Sequence, residues 1–102
     1  MKKLLLITFR QSLEEALRHL LHEIGVKNYT LISGVLGEGI TGKITGTFSG
    51  QGLNSVLLVV IDEEEEKPVL ERLKAFHKSL ATHEYFSKIP LRLFVLPCDQ
   101  II

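Results

Sequence analysis

Apolar residues fall along this chain in two kinds of run. The segments 2–9, 28–36, 54–62 and 91–96 are short, branched and apolar, and they predict strands. Between the first two lies QSLEEALRHLLHEIG, where Leu13, Ala16, Leu17, Leu20 and Ile24 recur at helical spacing. Ser12 and Glu15 have the S-x-x-E spacing of a capping box, and Gly25 is placed to end this helix in a left-handed cap. Glu14, Arg18, His19, His22 and Glu23 are expected on its outer face. A second stripe, Val69, Leu73, Phe76 and Leu80, predicts a second helix. The acid run Glu63 to Glu66 before Pro68 suits its first turn, where the helix dipole favours negative charge.

The order is β-α-β-β-α-β, the split pattern of ferredoxin-like α+β folds. It predicts one domain over residues 1–102, a four-stranded antiparallel sheet with both helices on one face. Such a sheet ordinarily alternates apolar and polar residues. LLLI, VLLVVI and LFVL are instead apolar on both faces. The face without helices therefore needs cover, and another copy of the chain supplies it most simply.

A long connection joins the second and third strands. Seven of the eight glycines lie in it, between Gly34 and Gly52. Loops of this length usually carry function, and glycine lets a ligand approach the backbone closely. Thr41, Thr45 and Thr47 alternate with Ile44 and Phe48 as a strand would, which predicts a hairpin arm. Residues 37–42 match G-x-G-x-x-G, and residues 37–43 match the start of a phosphate-binding P-loop. Both motifs require a following helix, and ITGTFSG cannot begin one. What survives is an anion nest of backbone N–H groups with Lys43 beside it.

Composition removes several classes. Formal net charge is zero over 102 residues, so no electrostatic footprint for nucleic acid or an anionic membrane appears. The single cysteine, Cys98, excludes an intrachain disulfide, suits a reducing compartment and reads as a small buried hydrophobe. MKKLLLITF starts like a signal peptide, but Arg10, Gln11 and Ser12 end the apolar run, so a cytoplasmic protein is expected without membrane insertion. His19 and His22, with Glu15 and Glu23 near, have the spacing of a surface metal site; solvated histidines are the commoner outcome. No nucleophile, general base or paired carboxylates can be assembled, so no enzyme is expected.

Three stretches resemble the PII-like signalling superfamily: EIGVKNYT (23–30), VLGEG (35–39) and LFVLP (93–97). They resemble, in turn, the family's entry to the second strand, its V-x-G-x-G entry to the long T-loop, and the end of its last strand. The resemblance implies a ferredoxin-like homotrimer that senses a small effector. Its T-loop would dock on a partner transporter or enzyme, here through Glu38, Ile40, Thr41, Ile44 and Phe48. By position, Ile7, Thr30, Gly37 and Gly39 would line a ligand cleft between subunits, with Lys43 close by.

The chain departs from the family where phosphates are gripped. The glycine- and lysine-rich loop before the last strand is replaced by ATHEYFSKIP, with Lys88 its one cation, and the arginine-bearing C-terminal extension has no counterpart. Weak binding of an adenine nucleotide or another small anion is expected, with no resident cofactor. The alternative reading is a CutA-like trimer for metal tolerance, with the histidines and Cys98 as its features.

Overall fold

The computed structural model describes residues 1–36, 38–39, 42–43, 53–82 and 91–102. In chain order these form β1 (Lys2–Arg10), a 3-10 turn (Gln11–Leu13), α1 (Glu14–Glu23) and β2 (Thr30–Val35). Then come the short β3 (Glu38–Gly39) and β4 (Gly42–Lys43), β5 (Asn54–Asp62), α2 (Glu63–Leu80) and β6 (Leu91–Cys98). The main sheet is antiparallel with strand order β2-β5-β1-β6, so the expected ferredoxin-like arrangement is present.

Strand alternation sorts the core. Leu5, Ile7 and Phe9 of β1 and Leu57, Val59 and Ile61 of β5 are buried on the helix side. Leu13, Leu17, Leu20 and Leu21 from the first helical segment and Val69, Leu73 and Leu80 from α2 close over them. Leu21 replaces Ala16 in the expected stripe: Ala16 is exposed, and Ile24 and Phe76 are half-buried.

The helix ends follow the chemistry of their residues unequally. Gly25 adopts φ +88°. Val26 N–H bonds to Leu21 O at 2.9 Å and Gly25 N–H to His22 O at 3.2 Å, the paired bonds of a Schellman cap. The capping box expected of Ser12 and Glu15 does not form. The chain enters the 3-10 turn directly from β1, so Arg10 stands at the boundary, and Glu15 pairs with Arg18 at 3.2 Å instead. The capping pair occurs at α2, where Asp62 N–H donates to Glu65 Oε1 at 3.1 Å. Pro68 sits in the second turn, with Glu63 to Glu66 before it.

β2 contains an irregularity that the hydrophobic pattern hides. Ile32 pairs with Val56 and Val35 with Asn54, so β2 uses one residue more than β5 between those pairs. Gly34, at φ +71°, absorbs the extra residue in the manner of a β-bulge. Within the long connection, Glu38 pairs with Lys43 and Gly39 with Gly42, a small hairpin. Gly37, Ile40, Thr41, Ile44, Thr45, Thr47 and Phe48, and the segment 83–90 with Lys88, lie outside the described residues.

Candidate functional site

The face of the sheet without helices is apolar, and among the described residues nothing covers it. Across it run the rows Leu96–Leu4–Val60 and Phe94–Leu6–Leu58–Thr30, and next to them Arg92–Thr8–Val56–Ile32. Ile32, Val60, Phe94 and Leu96 are exposed, Phe94 by 48%. Branched and aromatic residues make these strands, yet only one of their two faces finds a partner among the described residues. A contiguous apolar sheet face of this kind marks an interaction surface.

One edge of this face turns polar. A groove of about 530 Å³ opens where the segment before β2 meets the sheet, lined by Lys2, Lys27, Asn28, Thr30, Leu58 and Val60, with Gln100 at its rim. Leu58 and Val60 form an apolar floor, and lysine and amide groups stand around it. Such a combination suits a flat ligand carrying negative charge. Lys2 is already committed to Asp62, with Nζ 2.7 Å from Oδ1. That contact raises the lysine pKa, first through the hydrogen bond and then through the aspartate charge. Arg18 Nε donates to Tyr29 Oη at 3.2 Å, tying α1 to the segment that leads into β2.

The described residues expected at the cleft lie on different parts of the chain, and Gly37 lies outside the described residues. Thr30 is exposed in the groove and pairs with Leu58, about 13 Å along the strand from Asn54, where the long connection returns. Ile7 lies on the opposite face of the sheet, its side chain packed in the core at 1% exposure. Gly39 and Lys43 belong to the hairpin of the connection.

Among the described residues the surface histidine His19 pairs with a neighbouring side chain. Glu23 lies 3.2 Å from His19 Nε2 and 3.3 Å from Arg72, and Glu15 is held by Arg18. Among the described residues no group of three His, Cys, Asp or Glu side chains converges. Cys98 is half-buried at the end of the edge strand β6, opposite Lys2, and so is not enclosed in the core. No helix among the described residues is long and apolar enough to cross a membrane.

Sequence reasoning misplaced Glu14. Its side chain turns inward, half-buried, and accepts hydrogen bonds from the hydroxyls of Ser33 and Ser55. No local spacing reveals this, because the partners are 19 and 41 residues away.

Comparison with known proteins agrees with this fold. The family model for nitrogen regulatory protein P-II matches residues 1–102. No curated protein matches the chain. Among solved structures, CPII from Thiomonas intermedia, a nitrogen regulatory PII-like protein bound to ADP, AMP and bicarbonate, is 24% identical with a TM-score of 0.68. The match covers 93% of this chain and 85% of that one. A candidate PII-like signalling protein from Thermus thermophilus is also 24% identical, with TM-score 0.63 over 93% of this chain and 84% of its own. A DUF3240 family protein from Shewanella baltica reaches TM-score 0.68 at 14% identity, over 98% and 92% of the two chains. At such identities these neighbours speak for the fold alone.

Proposed function

The chain belongs to the nitrogen regulatory protein P-II family, and from that premise we propose that it is a trimeric sensor whose long connection regulates a transporter or enzyme. Its work on this reading is regulation, not catalysis. The observation that carries the proposal is the bare sheet face. Leu4, Leu6, Leu58, Val60, Phe94 and Leu96 make an apolar surface that a monomer has no use for, and it adjoins the polar groove at Thr30. A threefold assembly covers that surface and brings the groove of one copy beside the connection of another.

On this reading the effector is a small anion held between subunits. Thr30 supplies a hydroxyl and Lys27 a positive charge, while Gly37 and Gly39 give backbone N–H groups and Lys43 a second cation. Ile7 contributes by packing under the strand. The binding of CPII to adenine nucleotides and bicarbonate supports that chemical class. Bound ligand favours one arrangement of the connection, by no more than its differential affinity for that arrangement. Glu38, Ile40, Thr41, Ile44 and Phe48 then meet the partner protein in the cytoplasm.

Calorimetry with ATP, ADP, AMP and bicarbonate tests this on the wild type and on Thr30→Val, Lys27→Glu and Gly37→Ala. With few cations available, the expected dissociation constant is about micromolar or weaker. Each substitution should weaken it. Binding of none of the four ligands, or binding indifferent to all three substitutions, overturns the ligand assignment.

A further inference from the structure

A polar cluster on the helix side of the sheet has no part in the reading above. Ser55 is the one fully buried polar side chain among the described residues, and its hydroxyl donates to Glu14 Oε2. The Ser33 hydroxyl donates to the same oxygen, and Ser33 Oγ accepts from Gln11 Nε2 at 3.0 Å. Ser33 stands just before Gly34 in β2, and Ser55 is the second residue of β5. One carboxylate oxygen therefore grips both strands that the long connection joins.

A structural role limited to satisfying buried Ser55 would require one bond and no more. Here a second hydroxyl from another strand, backed by an amide, shares the acceptor. The backbone ladder is also interrupted at this place, since the register between β2 and β5 shifts between Ile32 and Val35. Side chains supply there what the backbone does not. Gln11 N–H adds a further tie to Leu53 O at 3.1 Å, next to the start of β5.

We infer that Glu14 is a catch, a positioning residue that fastens both roots of the long connection to the start of α1. Hydrogen bonds to an ionised carboxylate are about twice as strong as neutral ones. Two that share one oxygen are energetically coupled. A pull on Ser33 is therefore felt at Ser55, across the interrupted ladder. The two roots move together or the catch opens. This holds whether or not any effector binds, so it stands or falls separately from the sensor reading.

Amide hydrogen exchange on the full, ligand-free chain tests it. Ser33 is exposed, and its replacement leaves the core untouched. Ser33→Ala should speed exchange at residues 31–35 and, across the strand, at residues 54–57, by about tenfold, with Val59–Ile61 unchanged. Glu14→Gln keeps a carbonyl acceptor but loses the charge, and should weaken protection of both segments together, by less than Glu14→Ala. Glu14→Ala should speed exchange in the same two segments as the double variant Ser33→Ala/Ser55→Ala, and by more, because it leaves the buried Ser55 hydroxyl without its acceptor. An effect of Ser33→Ala confined to β2, no effect at all, or a uniform loss across every strand overturns the catch. Ser33→Ala alone decides the matter if Glu14→Ala fails to fold.

Discussion

Lys2 Nζ stands 2.7 Å from Asp62 Oδ1, so the first residue of β1 holds the residue that ends β5 and precedes α2. The hydrogen bond to Lys2, and then the lysine charge, lower the Asp62 pKa, and the same contact raises that of Lys2. A depressed carboxylate contributes stability above its unfolded pKa of about 4, and the contribution is lost as pH falls through the folded value. The raised lysine contributes in full below its unfolded pKa of about 10.4, and its share is lost as pH rises through the folded value. Both groups are exposed, so the effect is small and screened by salt. Carboxyl NMR should place the Asp62 midpoint below the ordinary aspartate range and raise it in Lys2→Met. An identical midpoint in the two proteins would show that the pair does not form in solution.

Leu57 tests the core. It is fully buried in β5, paired with Ile7 of β1 and Leu31 of β2 under the helices. Leu57→Ala should cost about 2–5 kcal/mol, because the packed sheet cannot collapse into the space. Its neighbour Leu58 points to the bare face, and Leu58→Ala should cost a monomer much less. Urea unfolding at a concentration where only monomer is present measures both. Equal losses would contradict the assignment of faces.

The sequence made the fold legible because its signals are local and repeated. Strand runs, two helical stripes and Gly25 each depend on residues within a few positions, and their order admits one familiar topology. The two-sided apolar strands likewise predict the exposed apolar face. The long-range pairings were not legible. Glu14 looked like a surface acid because its partners, Ser33 and Ser55, reach it only once the sheet has formed. The bulge at Gly34 passed unnoticed because a glycine among seven in one stretch draws no attention. The groove at Thr30 depends on Lys2 and Gln100, from opposite ends of the chain. Only the resemblance pointed to Thr30 at all.

Gly25 separates backbone strain from steric exclusion. It sits at φ +88°, and a Cβ built there meets nothing within 4 Å. Gly25→Ala should therefore destabilise by about 1–2 kcal/mol through the left-handed conformation alone. Gly25→Asn should recover part of that loss, since asparagine tolerates this region. Thermal unfolding of the three proteins measures it. An alanine variant as stable as the wild type would mean that the Schellman cap contributes nothing.

The bare face makes the strongest demand. Phe94 lies in the row with Leu6, Leu58 and Thr30, and it is 48% exposed, so the folding of a single chain does not depend on it. If three copies close over this face, Phe94→Glu places an unpaired carboxylate in each apolar interface. Such a charge costs several kcal/mol per copy, about the scale of a weak subunit contact. Light scattering should give a trimer for the wild type and a monomer for Phe94→Glu, with unchanged far-ultraviolet circular dichroism. The distribution of charge makes the prediction specific. Lys74→Glu, on the exposed surface of α2 away from the sheet, changes charge by the same sign and more, and should leave the mass unaltered. A wild-type monomer would remove the assembly altogether. A trimer that survives Phe94→Glu would show that the copies meet elsewhere and leave this face for another partner.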